Sequence, residues 1–559
     1  MKPSFALLGI FGLAATAPVA CGGAQPTSAL CRRDDQCGGG AACVAGTCLP
    51  HAAPPATWNV ELVPKTDSAA GFTEILGVSG AADAFDLAAT AKIAVTGTLS
   101  FDDSAAPLKA AHVVFKTPAM IAGRPDIQYE TDLLPPVPAK MTAPTFTLSV
   151  PANLAGRTAS LQLLPTPPDD LTHPPSTFAV TVAAALPLSV SSKTFTVQGR
   201  LLSALGDPVG GLVARAFQNS ALVSNVVKTT AGMMNGSDGT FALTVPTDRV
   251  ADAQTIAIEL EPVTPDSPLP HYWAKAFTLT ANDDLGDIHL PAFSQPNAFR
   301  FVFHGETNNG PAVVDAVVRA RTILADDMVG TTDFERDGLT DGSGQASLSL
   351  LPGSTAALLL YDIGVVPPAN APYAATCLEM FPLAAGGLQP TVVLERRPIF
   401  SGTVVGDDGA PVSGVVVLAT RTAGPKVTAC DDDVSTPQVT APTATDGTFS
   451  LDLDAGTYTF DFDPPAGSPY PRLTQVGLSV PSSGAATQTI RLPAAAVVDG
   501  TVRDAAGQAL PLAGVRFYGP ACVAPMTCAG RPPVLEAETR ADANGHYRAV
   551  IPFAAASPP

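Results

Sequence analysis

The stretch "ATDGTFSLDLDAGTYTFDFDPP", residues 444–465, decides the fold. Phe449, Leu451 and Leu453 are apolar at every second position, with Ser450, Asp452 and Asp454 in the gaps. After Ala455-Gly456 the alternation resumes with Tyr458, Phe460 and Phe462, spaced by Thr459, Asp461 and Asp463. A period of two is that of a strand with one face buried and the other wetted. Asp446-Gly447 turns the chain into the first strand, and Pro464-Pro465 stops the second, since proline cannot donate to a ladder. The pattern predicts a β-hairpin whose second arm closes a sheet.

The same pattern recurs. "SGTVVGDDGAPVSGVVVLA" (401–419) precedes the opening stretch, and "DGTVRDAAGQALPLAGVRFYG" (499–519) with "ADANGHYRAVIP" (541–552) repeats both. "QGRLLSALGDPVGGLVARA" (198–216) leads to "GSDGTFALTVP" (236–246), and "TGTLSFDDSAAPLKAAHVVF" (96–115) leads to "APTFTLSVP" (143–151). The weakest copy is "FRFVFHGETNNGPAVVDAVVRA" (299–320), followed by "TDGSGQASLSLLP" (340–352). Gly97, Gly199, Phe303, Gly402 and Gly500 mark the copies, about 100 residues apart. That period is too long for a solenoid and suits one small sandwich per copy. In each copy a Gly/Asp/Pro turn joins two strands, a variable excursion follows, and Asp446-Gly447, Asp238-Gly239 or Asn544-Gly545 starts the next strand. "TASLQLLP" (158–165), "TIAIELEP" (255–262) and "TAALLLYD" (355–362) stand where "TYTFDF" stands in the fourth copy.

These cues (G-x-[VL], then G-x-P-[VL]-x-G-[AV]-x-V, then D-G-x-[FY]-x-L-x-[VL]-P) resemble the carboxypeptidase regulatory-like family. Copies two, four and five match best; copy one lacks the first turn glycine and copy three has Phe303 in place of the marker. Surface sandwiches of the Cna-B kind share much of the pattern. The resemblance covers roughly residues 93–559 and implies an all-β fold: tandem transthyretin-like (prealbumin-like) β-sandwich domains. It also implies a passive role, as spacers, stalks or accessory modules. The fifth copy ends at "GHYRAVIPFAAASPP" without a second hairpin arm, so it is expected to be poorly ordered or to take a strand from another chain.

Composition agrees with many short strands. Of 559 residues, 55 are Pro and 48 Gly, while charged residues make up only 14%. Acidic residues outnumber basic ones, 50 to 31, and a surface of net charge −19 repels phosphate backbones. Nucleic acid is therefore excluded as a partner.

The N-terminus reads as an address. "MKPSFALLGIFGLAATAPVACGG" has Lys2, a short apolar run and small residues before Cys21. This is the form of a signal peptide, and "VAC" resembles a bacterial lipoprotein signal, which implies lipidation of Cys21. Pro18 departs from that pattern, and an ordinary signal peptide is the alternative. Cys31, Cys37, Cys43 and Cys48 fall within 18 residues, too few to bury a core, and read as two disulfides in an exported protein. Three pairings are open, and the spacings lack the CxxC pairs of zinc ribbons. The stretch resembles Cys-rich modules of myxobacterial surface lipoproteins.

Candidate chemistry is sparse. The seven histidines (51, 112, 173, 271, 289, 304 and 546) include no two within five residues, so no local zinc pair exists. The clusters Asp407-Asp408, Asp283-Asp284-Asp287 and Asp431–Asp433 do not follow EF-hand spacing and read as solvated turns, with a weak divalent-ion site as the alternative. No catalytic residue, cofactor or metal is expected. Cys522 and Cys528 share one loop and could form a bridge; Cys377 and Cys430 could staple copy three to copy four. His271, Tyr272 and Trp273 are a candidate binding patch, with core packing or an interdomain joint as the alternative.

The expected organisation is a signal peptide (1–20), a lipid-anchored tether (21–30), a Cys-rich module (31–50) and a linker with one or two strands and a short helix (51–92). Four sandwiches follow (93–192, 193–296, 297–396, 397–495), then a partial fifth (496–559), in a row reaching on the order of 150 Å if extended. The expected role is a non-enzymatic, membrane-anchored surface or periplasmic stalk or adhesion scaffold, with the membrane as its partner through the N-terminal lipid. The alternatives are a module that binds polysaccharide or another surface protein through the excursions 116–142, 217–235 and 420–443, an accessory subunit of an enzyme or secretion complex, and a cryptic hydrolase.

Overall fold

The computed structural model describes residues 31–38, 40–52, 58–79, 84–101, 108–134, 143–166, 173–190, 193–230, 239–247, 255–264, 266–353, 359–369, 371–383, 388–424, 430, 438–439, 442–519 and 533–552. Among them the fold is all-β: tandem β-sandwiches behind a small disulfide module. Two three-residue 3₁₀ turns, Asp34–Gln36 and Ala152–Leu154, interrupt the strands. No helix among the described residues is long and apolar enough to cross a membrane.

The fourth unit shows how a copy is built. Ile399–Val405 is the centre of a three-stranded sheet, antiparallel to Thr448–Asp452 and parallel to Ala485–Arg491. The facing sheet runs in the order Gln438–Val439, Val416–Ala423, Gly456–Asp463, Leu473–Val480. The two arms of the opening stretch thus lie in different sheets. The expected hairpin is instead an arch that crosses the sandwich. The alternation is the reason: both apolar faces must meet one core, and they do so from opposite sides. Phe449 on one arm packs edge-on against Phe462 on the other, with ring centroids 5.9 Å apart. Phe400, Phe460 and Phe462 are fully buried, each side chain contributing about 1.5–3 kcal/mol by burial. Gly447 turns the chain with φ 75°, and a Cβ there would come 2.5 Å from the Val404 carbonyl oxygen.

The marker glycines have a packing cause. Gly97, Gly199, Gly402 and Gly500 each pair across the sheet with an aromatic residue: Phe146, Phe241, Phe449 and Tyr547. The ring lies over the glycine; a Cβ at Gly199 would stand 2.8 Å from Phe241, and one at Gly402 2.8 Å from Phe449. In the third unit the pair in this register is Phe301 with Ala346. The marker position there is therefore Phe301, not Phe303. The aromatic has changed strands and the small residue has taken its place, so the summed volume is kept.

The fifth unit is complete, which corrects the expectation of a poorly ordered half or a strand from another chain. Its four-stranded sheet runs Val534–Arg540, Gly514–Gly519, Trp58–Val63, Thr73–Val78, and its three-stranded sheet runs His546–Pro552, Ala495–Arg503, Leu87–Ala88. The segment expected to be a linker with a short helix supplies three strands of this sandwich and, in its described residues, no helix. Trp58, Val60 and Leu62 take the places that Tyr458, Phe460 and Phe462 hold in unit four. One core joins both ends of the described chain: Val60 and Leu62 with Val515 and Phe517, all fully buried.

This arrangement also replaces the open row. Short joints link the strands Ala485–Arg491 to Ala495–Arg503, and Leu87–Ala88 to Lys92–Phe101. The fifth sandwich is thereby the covalent neighbour of both the fourth and the first. The five units form a closed circuit.

Candidate functional site

The disulfide module sits on the closing sandwich. Cys31 bonds Cys43 and Cys37 bonds Cys48, with Cα separations of 5.8 and 5.4 Å. The sulfurs of Cys31, Cys37 and Cys43 lie within 4.8 Å of one another, but the two bridges use all four thiols and leave no thiolate for a metal. The hairpin Ala41–Val44, Thr47–Pro50 buries Ala42, Val44 and Leu49 against Val497 of the fifth unit. Arg548 ties the module down. Its guanidinium donates to Asp34 Oδ2 at 2.7 Å, to Asp499 Oδ1 at 2.7 Å and to the Cys43 carbonyl at 3.0 Å. The hydrogen bond from Arg548 and that from the Cys43 N–H hold the Asp34 carboxyl below its usual range.

The closing seam carries further polar contacts between the chain's ends. Trp58 Nε1 donates to Glu536 at 3.0 Å, and burial pushes that carboxyl up to about 7. Tyr547 donates to the Phe85 carbonyl at 2.6 Å, and the Thr501 N–H donates to Asp86 at 2.9 Å. Beside the seam a latch joins unit five to unit one. Glu74 accepts the Met120 and Ile121 N–H groups at 2.7 and 3.2 Å. Glu61, 2% exposed, accepts Arg124 Nε and the Tyr518 hydroxyl, both at 2.8 Å. Residues 120–124 belong to the excursion 116–142, so part of that loop is spent on an interdomain contact.

Units two and three share one continuous sheet. His271–Thr278 pairs edge to edge with Gly330–Leu339, setting His271 opposite Asp333 and Tyr272 opposite Thr332. An exposed strand edge is a template for such pairing. Strand alternation splits the candidate patch. Tyr272 enters the core of unit two, while His271 and Trp273 stay on the outer face, their rings 4.8 Å apart. His271 Nε2 lies 3.0 Å from Glu259 and Nδ1 3.5 Å from Asp333, which also accepts Arg321 Nε at 2.8 Å. Burial alone would lower the His271 pKa; the two carboxylates more than offset it and hold it up to about 9. These three residues lie at an interdomain joint.

Units three and four are joined by a disulfide between Cys377 and Cys430, Cα atoms 5.7 Å apart. Arg397 is buried at the same joint, donating from Nη1 to the carbonyls of Pro368, Ala369 and Ala371 and from Nε to Asp454.

The acidic turns are occupied by their own backbone. Asp408 accepts the Ala410 N–H at 2.9 Å, and Asp284 accepts the Gly286 N–H at 2.9 Å and the Gln198 amide at 2.9 Å. Such turns use the carboxylate to fix the loop. Cys21, Cys522, Cys528 and Asp431–Asp433 lie outside the described residues, as do parts of the excursions 116–142, 217–235 and 420–443. An open depression of about 350 Å³ lies between Ala45 of the disulfide module and Pro411–Ser413 and Pro465–Tyr470 of unit four.

Sequence reasoning missed Glu61, Glu74, Arg124, Glu536 and the role of Arg548. A usable signal existed. "TWNVELVP" (57–64) matches "TYTFDFDP" (457–464) position for position in its alternation and closing proline.

No family model matches the chain, and no curated protein does. Among solved structures, the Bacillus anthracis TIE protein is similar over 72% of this chain and 74% of its own, at 9% identity and a TM-score of 0.16. Two B repeat units of the Staphylococcus aureus collagen binding protein cover 71% of this chain and 99% of their own, at 11% identity and a TM-score of 0.14. The minor pilin of Streptococcus agalactiae covers 35% of this chain and 95% of its own, at 13% identity and a TM-score of 0.21. The fold assignment rests on the strands and registers above rather than on these likenesses.

Proposed function

We propose that this chain is an exported, non-enzymatic β-sandwich scaffold, anchored to a membrane through lipid on Cys21 and serving as a surface stalk or adhesion platform. One observation carries the reading: among the described residues the buried charged side chains, Glu61, Glu74, Glu259, Asp333 and Arg397, lie at joints between units, and a disulfide spans one of those joints. A shared sheet fixes two to three, a disulfide and buried Arg397 fix three to four, and the Glu61–Glu74 latch fixes five to one. Domains that only need linking are joined by flexible segments, and their relative motion is the default. Joints stiffened in this way suit an object that must hold a shape or transmit load. The signal-like N-terminus and the disulfides support an oxidising compartment. Several acyl chains on one residue would give a stable anchor where one would not.

Intact-mass measurement of the protein from detergent-solubilised membranes tests the anchor. The expected mass lacks residues 1–20 and carries acyl chains on Cys21; a soluble chain without that increment overturns the anchoring. A glycan array and a membrane pull-down with residues 22–559 test the scaffold role. A saturable, specific glycan or protein ligand would replace it with the binding-module or accessory-subunit reading, and turnover of an ester, peptide or glycoside would replace it with a hydrolase.

A further inference from the structure

The fifth sandwich is made of a plug and a socket. The plug is the strands Trp58–Val63, Thr73–Val78 and Leu87–Ala88; the socket is the four strands from Ala495–Arg503 to His546–Pro552. The plug is built onto unit one. Glu74 and Glu61 bind residues 120–124, and Ala70 bridges Ala91 at the start of unit one's first strand. The socket follows unit four through a short joint. Each half alone is unfinished. Without the plug, the edge of Gly514–Gly519 that pairs with Asn59–Val63 is unpaired, and Val515 and Phe517 lose the core partners that bury them completely. Without the socket, Trp58, Val60 and Leu62 lie bare on a two-stranded ribbon, which is too small to stand alone.

We propose that the closure made here within one chain also forms between copies, so that a second copy of this chain is an alternative partner of the fifth sandwich: the plug of one copy takes the place of the next copy's own plug, giving head-to-tail assemblies. The seam contacts run between the socket and the module, the plug or Arg124 of unit one, which travels with the plug, and are the same whether the two sides come from one chain or two. Closing the circuit within one chain requires the joints of all five units to return unit one to unit four. Exchange between copies has no such requirement. Synthesis order works the same way. The plug is made before four complete units and the socket after them, so a new plug meets finished neighbours before its own socket exists. A contact of this head-to-tail kind yields a ring when its rotation closes and a filament when it does not. Intrachain closure wins when chains are dilute, and exchange gains as their concentration approaches the intrachain effective concentration. The proposal goes beyond the scaffold reading and does not depend on the lipid anchor.

Val63 and Gly514 face each other across the seam, and a Cβ at Gly514 would lie 3.5 Å from the Val63 Cβ, within disulfide reach. The test uses three full-length chains: Val63→Cys, Gly514→Cys and the double variant. Each is unfolded and refolded in a thiol–disulfide buffer over a range of concentrations, and the peptide linking positions 63 and 514 is sought by mass spectrometry. The double variant reports that the seam forms. In an equimolar mixture of the single variants, the same linked peptide can arise only between copies. Its yield is expected to rise roughly in proportion to chain concentration. If the double variant links within one chain but the mixture gives no 63–514 peptide at any concentration, exchange is overturned. If the double variant does not link at all, the seam and the proposal both fall.

Discussion

Trp58 and Glu536 stand 478 positions apart and share a hydrogen bond of 3.0 Å, from indole Nε1 to the carboxylate. One comes from each half of the closing sandwich, so the bond is a direct measure of closure. Burial disfavours the Glu536 charge and lifts its pKa from 4.5 to about 7, against a smaller opposing pull from the indole N–H.

The pH dependence of closure follows from that carboxyl. The folded state keeps the Glu536 proton up to about 7, while the unfolded chain releases it near 4.5. Between these values the folded state binds more protons, so each rise in pH favours unfolding. Hydrogen exchange at Val515 and Phe517, corrected for its intrinsic pH dependence, should show protection falling across this window. Glu536→Gln should flatten the fall. An equal slope in that variant would remove Glu536 as its source.

The glycine–aromatic pairs permit a volume exchange. Unit three carries Phe301 opposite Ala346 where unit one carries Gly97 opposite Phe146. Gly97→Phe alone should overpack the sheet and cost about 1–3 kcal/mol or more. Phe146→Ala alone should cost about 3–5 kcal/mol. The double variant reproduces unit three's solution and should cost clearly less than the sum. Denaturant unfolding of the four chains closes the cycle; strict additivity would show that the two pairs are not equivalent.

How far the sequence discloses this structure depends on range. Alternation at 449–462 and the Asp-Gly turns are local, and they place strands correctly. Which sheet each arm joins is not local. Phe449 and Phe462 alternate identically whether they sit side by side in one sheet or face each other across a core, as they do. The plug was harder still. Trp58–Val63 carries the signature of Gly456–Asp463, but its partner Gly514–Gly519 lies at the far end of the chain, and pairing at such separation leaves no periodic trace. The joints were the least legible. Glu61, Glu74 and Arg397 look like ordinary surface charges in sequence, and only the packing of one sandwich on another buries them.

The junction of units two and three should weaken in alkali. His271 has a folded-state pKa of about 9, above its ordinary 6.5, because Asp333 and Glu259 outweigh the burial that would lower it. A raised histidine contributes stability that is fully present below about 6.5 and is lost as pH rises through about 9. At about 1.4 kcal/mol per unit, the full effect is on the order of 3 kcal/mol. Asp333 is held low by His271 and Arg321 despite its burial, so it stays charged across this window. Titration of the His271 imidazole by NMR measures the shift directly, and a midpoint near 6.5 would refute the arrangement. His271→Gln should remove the alkaline loss of protection at Tyr272 and Trp273.

The Cys377–Cys430 bridge spans 53 residues across the joint of units three and four. Closing a loop of that length stabilises the native state by about 4 kcal/mol in the chain-entropy account. The joint has a second hold in Arg397, which is 3% exposed and donates to three carbonyls of unit three and to Asp454 of unit four. Removing this buried charge leaves its acceptors unpaired, which costs about 1–3 kcal/mol for each one stranded. The two holds differ in kind: the bridge acts mainly on the unfolded chain, and Arg397 acts on the folded joint. Cys377→Ser with Cys430→Ser should therefore lower the melting temperature while residues 395–398 stay protected from protease. Arg397→Ala should open those residues to cleavage even with the bridge intact, leaving fragments joined until reductant is added. Cleavage at the joint in the serine variant alone would reverse the assignment.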